Sequence, residues 1–162
     1  MICPEGRARE RTHALFATHG IAQAQVELVA PCPWPEYIRL FERTDLALDA
    51  YPCNGMTTTC HALWMGVPVV TRAGTSALSR AGGSVLHAIG LSDWVAQTAE
   101  EYIRIAEEQA GDLPRLAEMR ATLRPRMEAS PLMDAPRFAR NIEEAYRSMW
   151  QQWCAQNQSS HG

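Results

Sequence analysis

The 162-residue sequence contains no lysine; all 15 of its Lys and Arg positions are arginine. That excludes a P-loop lysine, a Schiff-base lysine and a lysine general base. No apolar run approaches the ~18–20 residues that a membrane span needs. The first residues, Met-Ile-Cys-Pro-Glu-Gly, lack the basic-then-apolar pattern of a secretory signal. The net charge of −3 gives no electrostatic case for nucleic acid or a membrane surface. The five cysteines, Cys3, Cys32, Cys53, Cys60 and Cys154, are scattered, with no Cys-x-x-Cys or zinc-ribbon spacing. Free thiols in a reducing cytoplasm are the expectation, a metal site or a catalytic thiol the alternative. What is present is ordinary globular composition, 46% hydrophobic and 20% charged, in a chain long enough for one domain with a core.

Charge is also scarce in one place. Residues 44–99 carry only Asp45, Asp49, Asp93, Arg72 and Arg80. Such a stretch is mostly buried or lines a pocket. The flanks are charge-rich, as solvated helices around a central sheet would be.

Period and punctuation place the elements. Residues 5–19 read as a helix with Ala8, Thr12, Leu15, Phe16 and His19 on one face, stopped at Gly20. Val26–Val29 reads as a buried strand, halted by Pro31 and Pro33. Residues 35–43 read as a helix with Tyr37, Leu40 and Phe41 inward. Leu46–Leu48 predicts a strand ending at Asp49. Tyr51–Gly55 is a turn, Thr57–Met65 a helix, Val67–Thr71 a strand, 76–89 a helix and Asp93–Ala96 a last short strand. Helices over 99–110, 113–127 and 135–155 finish the chain. Asp112 before Leu113-Pro114 and Asp134 before Ala135-Pro136 signal two of their starts. Pro125 should kink or end its helix near Leu123. Phe138, Ile142, Tyr146, Met149, Trp150 and Trp153 share one broad face of the last helix, and core packing is the simplest use for them. Residues 157–162 read as a frayed tail, with a formal glycosylation sequon at Asn157.

Strands alternating with helices in short units, the strands mostly apolar, predict an α/β, Rossmann-like parallel sheet with helices on both faces. Ligands of such sheets sit at the carboxyl ends of strands, beside helix N-termini. The segment Asp45–Thr71 meets that description. A strand ends at Asp49, a turn with Asn54-Gly55 follows, and Thr57, Thr58 and Thr59 open a helix. Unpartnered N–H groups, the positive dipole end and threonine hydroxyls suit a phosphate or diphosphate. The alternative is that one threonine is simply an N-cap. No dinucleotide-binding glycine fingerprint is present; Gly82 and Gly83 lie inside a helical stretch and fit close helix–sheet packing. Arg80 could reach a diphosphate, or pair with Asp45, Asp49 or Asp93.

The run LDAYPCNGMTTTCHALWMGVPVVT, followed by AGTSALSRAGGSVLHAIGL, EEYIRIA, LRPRMEASPL and EEAYRSMWQQW, resembles the C-terminal catalytic region of the family 41 glycosyltransferases. These are the O-linked N-acetylglucosamine transferases and the SPINDLY proteins. The resemblance extends from about Gly6 to Cys154, and its core is Asn-Gly-x-Thr-Thr followed by Ala-Leu-Trp-x-Gly-x-Pro. The TTTC run and AYRSMW lean toward SPINDLY and its bacterial relatives.

The resemblance implies the C-terminal, donor-binding lobe of a GT-B architecture, here one lobe over residues 1–156. It implies transfer of N-acetylglucosamine from UDP-GlcNAc, or of fucose from GDP-fucose, to Ser or Thr hydroxyls with inversion, without a metal or other cofactor. Asn54, Gly55, Thr57, Thr58 and Thr59 fall on the diphosphate motif. Ala30, Pro31 and Tyr37 fall in the region of the base contacts. His61 stands where the family usually has Asp or Glu reaching the ribose, and Met56 replaces a frequent His or Gly. The lysine some members use in the 30–36 loop is absent. The family's N-terminal lobe, its proposed catalytic histidine and its tetratricopeptide repeats match nothing in this sequence. No catalytic residue is therefore assigned, and a fragment, or a non-catalytic module that pairs with a separate N-terminal lobe, is expected. Its partners would be a nucleotide sugar and, in the complete enzyme, a protein acceptor.

Overall fold

The structure, a computed structural model, describes residues 1–158. Two compact units divide the chain, Met1–Arg43 and the residues from Thr44 onward.

The first unit holds α1 (Arg7–Thr18) and α2 (Trp34–Leu40). Gly20 takes φ 75° just past the end of α1, the left-handed turn a side chain resists. The strand expected at Val26–Val29 is not formed. Gln23–Gln25 make a single 3-10 turn, and only Val29 pairs, in a lone parallel bridge with Ile2. The segment, interrupted by the exposed, ion-paired Glu27, has one short partner segment rather than a sheet to join. Phe41 is buried as expected, edge-on to Tyr37 at 5.3 Å between ring centroids.

The second unit contains β1 (Ala47–Leu48), α3 (Met56–Trp64), β2 (Val69–Arg72), α4 (Ala81–Ala88), β3 (Val95–Ala96), α5 (Ala99–Gly111), α6 (Leu113–Glu128) and α7 (Ala135–Gln158). The strands form a parallel sheet in the order β1-β2-β3, with Ala47 beside Val69 and Thr71 beside Val95. The α/β expectation holds. Val69, Val70 and Thr71 are successive and all buried, so β2 is covered on both faces. Around it Leu63, Val67, Leu86, Trp94 and Leu123 are almost wholly buried. Burying a leucine this completely stabilises a fold by about 1.5–3 kcal/mol. Gly66, at φ 79°, lets the end of α3 approach α6: a Cβ there would stand 2.6 Å from the Arg120 carbonyl oxygen.

Three expectations need correcting. The helix placed at 76–89 is a 3-10 turn, Leu78–Arg80, followed by α4; Ser76 and Ser79 bond each other's backbone and hydroxyls and hold the tighter turn. Pro125 neither ends nor interrupts its helix, since α6 runs on to Glu128. Leu123 and Met127 are both buried on either side of it, and their packing outweighs the lost N–H bond. The aromatic face of α7 is not in a core. Phe138, Tyr146, Trp150 and Trp153 are all more than half exposed. Residues 159–162, including most of the expected frayed tail and Ser159 of the sequon, lie outside the described residues. Among the described residues no helix is long and apolar enough to cross a membrane.

Candidate functional site

The carboxyl ends of β1 and β2 carry the expected chemistry. β1 delivers the chain to Asp49, whose amide N–H still donates into the ladder, to the Val70 carbonyl at 2.9 Å. The turn that follows contains a cis Tyr51–Pro52 bond. It ends at Gly55, the N-cap of α3. The Gly55 N–H donates to Asp49 Oδ1 at 2.8 Å. The first bond inside α3 runs from the Thr59 N–H to the Gly55 carbonyl at 3.3 Å. The N–H groups of Met56, Thr57 and Thr58 precede it and have no acceptor within the helix. No acidic residue lies within the first turn of α3; the Asp49 carboxylate, on the Gly55 N–H, is the acid at its cap.

The three threonines divide. Thr57 and Thr58 are exposed, so their hydroxyls and the free N–H groups open to solvent together. Thr59 is buried, and its hydroxyl donates to the Gly55 carbonyl, inside its own helix. Asn54 is also buried. Its Nδ2 donates to the carbonyls of Ala50 at 2.8 Å and Arg72 at 3.4 Å, while Oδ1 is buried without a partner. Met56 is exposed at the rim. His61 is half-buried, one turn beyond Thr57 on the same helix face.

Arg80 is exposed and makes none of the pairings open to it in the sequence. Asp93 pairs with Arg115 at 2.8 Å, and Asp45 lies 3.9 Å from Arg120. The Asp49 carboxylate accepts from Gly55 and Thr71. Ala30, Pro31 and Tyr37 belong to the first unit, with Tyr37 packed between Trp34 and Phe41.

Sequence reasoning missed the residues beneath the helix terminus. Thr71 Oγ1 donates to Asp49 Oδ2 at 2.6 Å, and the Tyr102 hydroxyl donates to the Asp49 carbonyl at 2.9 Å. Burial, and then the neighbouring Asp49 charge, push the Tyr102 hydroxyl up to about 12, so it remains a donor. Arg72 lies over the Tyr51 ring, its guanidinium carbon 4.1 Å from the centroid, with Nε buried and unpartnered. An acid that ends an apolar strand just before a glycine turn was the available signal for Asp49. Burial also raises the Cys60 thiol, which keeps it protonated rather than nucleophilic. An open groove of about 580 Å³, lined by Leu91, Asp93, Arg115 and Met119 among others, shares no residue with this site. Among the described residues no cluster of three or more His, Cys, Asp or Glu side chains could hold a metal ion.

Comparison with known proteins adds to this geometry. The sequence model for glycosyl transferase family 41 matches residues 5–142. A tomato (Solanum lycopersicum) protein described as a probable UDP-N-acetylglucosamine–peptide N-acetylglucosaminyltransferase SPINDLY is 41% identical over 119 residues, 74% of this chain and 13% of the relative. A petunia (Petunia hybrida) protein of the same description is 36% identical over 90% of this chain and 16% of its own length. The similarly described SEC protein of Arabidopsis thaliana is 33% identical over 96% of this chain and 16% of its own. The chain thus spans less than a fifth of these relatives. A solved structure of a mutant Thermobaculum terrenum O-GlcNAc transferase superimposes with a TM-score of 0.86 at 37% identity, over 93% of this chain and 29% of that one.

Proposed function

Because the chain belongs to glycosyltransferase family 41, we propose that it is the donor-binding lobe of a protein O-linked glycosyltransferase. The observation that carries this reading is the α3 N-terminus, with three N–H groups and the Thr57 and Thr58 hydroxyls open at the carboxyl end of β1. Its ligand is the diphosphate of a nucleotide sugar, UDP-N-acetylglucosamine or GDP-fucose. When the sugar leaves, negative charge grows on the diphosphate, and preorganised donors aimed at that charge lower the barrier. His61, one turn along α3, is our candidate for contact with the ribose. Arg80, exposed, is a further candidate for the diphosphate. The chemistry asks for no metal, since helix donors take the role a cation would otherwise fill. The acceptor, a Ser or Thr hydroxyl of a protein, and the proton-accepting group are supplied by the remainder of a complete enzyme.

Calorimetry with UDP, GDP and their sugars tests this. Binding of one of them to the folded chain is expected. Thr57→Ala combined with Thr58→Ala should then weaken it by about 1–3 kcal/mol, as two lost charge-assisted bonds would. A folded chain that gives no heat with any of the four ligands would sink the donor-site reading.

The exposed aromatic face of α7 favours a second reading, a module that pairs with a separately encoded N-terminal lobe. Nucleotide binding by the chain alone separates the two, because pairing does not require it.

A further inference from the structure

We infer that Asp49 is the positioning residue of this site: it fixes where the N-terminus of α3 stands, and through that sets the affinity for an anionic ligand there. The inference rests on the donor-lobe reading. Asp49 itself is held at both backbone groups, by the Val70 carbonyl on one side and the Tyr102 hydroxyl on the other, each at 2.9 Å. Its carboxylate then reaches two further elements. Oδ1 takes the Gly55 N–H at 2.8 Å, at the N-cap of α3, and Oδ2 takes the Thr71 hydroxyl at 2.6 Å. Thr71 is wholly buried in the central strand, so that end of the linkage does not move with the surface.

The carboxylate also has little freedom to turn. Gly82 of α4 lies against it, so close that a Cβ there would stand 2.3 Å from Oδ2 and 2.5 Å from Thr71 Oγ1. One side chain therefore ties the cap of α3 to β2 beneath the backbone of α4. The free N–H groups of Met56, Thr57 and Thr58 begin one residue after the tethered Gly55. Any swing of Gly55 moves them all. Asp49 touches no ligand in this account; it acts through the helix cap.

The test is calorimetry with UDP on the full chain, at a temperature where circular dichroism finds each variant folded. Asp49→Ala removes both tethers and should bind about tenfold more weakly than the unaltered chain. Asp49→Asn should recover most of that loss. Its Oδ1 still accepts from Gly55, and its amide can donate to a Thr71 hydroxyl turned to accept. Thr71→Val keeps the Gly55 bond but frees Oδ2, and should bind about threefold more weakly. A purely structural Asp49 would lower the unfolding midpoint and leave the affinity of the folded fraction alone. A folded Asp49→Ala chain with unchanged affinity overturns the inference. Should Asp49→Ala not fold, an unchanged affinity in Thr71→Val overturns it instead. If the unaltered chain takes up no UDP, the donor-lobe reading fails first, and the positioning role falls with it.

Discussion

Tyr102 joins chemistry to stability at a single hydroxyl. Its phenol donates to the Asp49 carbonyl and is pushed up to about 12. In the unfolded chain it titrates near its ordinary value of 10. Between those values the unfolded state has released its proton and the folded state has not, so the folded state loses stability as pH rises. Below pH 10 the contribution is fully present. Tyr102→Phe should therefore flatten the fall in unfolding midpoint above pH 10, at a cost near neutral pH of about 1 kcal/mol for the lost bond. Thermal denaturation across that pH range, followed by circular dichroism, checks both. The same neighbourhood explains what was legible among residues. Asn54, Gly55, Thr57 and Thr58 lie next to one another in the chain, so their gathering at one helix start could be read directly. Asp49, Thr71 and Tyr102 meet across separations of 22 and 53 residues, and no periodicity announces a bond of that kind. Burial likewise turns Thr59 inward, although nothing in a run of three threonines marks one as different.

At the scale of elements, apolar period and capping residues served well wherever an element is amphipathic or fully covered. β2, α3, α5 and α6 fall within two residues of where the pattern placed them. Thr98 and Asp112 cap as their residue types suggest, accepting from Glu101 and Arg115. Val26–Val29 went wrong because three apolar residues around Glu27 state that a segment could be partly buried, not that a strand lies ready to pair with it. Pro125 went wrong because local propensity is a weak prior against buried leucine and methionine on both sides. The proline should still carry a local cost. Its ring removes the N–H that would reach the Ala121 carbonyl, and it is exposed, so little packing depends on it. Pro125→Ala is expected to stabilise the chain by about 1–3 kcal/mol. Urea unfolding, read as a higher midpoint with an unchanged slope, is the measurement.

At the scale of the whole molecule, α7 is the element whose design is unmet. Its polar side chains form one face, and Phe138, Ile142, Tyr146, Met149, Trp150 and Trp153 crowd the other in the open. Trp150 and Trp153 stack on each other at 5.2 Å between centroids, which shields only part of their surface. A continuous aromatic strip in water drives association. Sedimentation velocity should show mass rising with concentration, and Tyr146→Glu with Trp150→Glu should return the chain to a monomer with its unfolding midpoint unchanged. A concentration-independent monomer before mutation would count against that expectation. The amphipathic pattern was plain in the sequence; which surface it meets was not, because a helix carries no record of its partner. The sheet has one more consequence. Its strands lie side by side in the order in which they occur, and each pairing, Ala47 with Val69 and Thr71 with Val95, spans little more than one helical crossover. A whole crossover, helix included, must close before each strand finds its neighbour, and that closure costs entropy before any pairing offsets it. Parallel pairing of this kind is non-local and slow to form, so the strands are expected to join only after the intervening helices have taken shape.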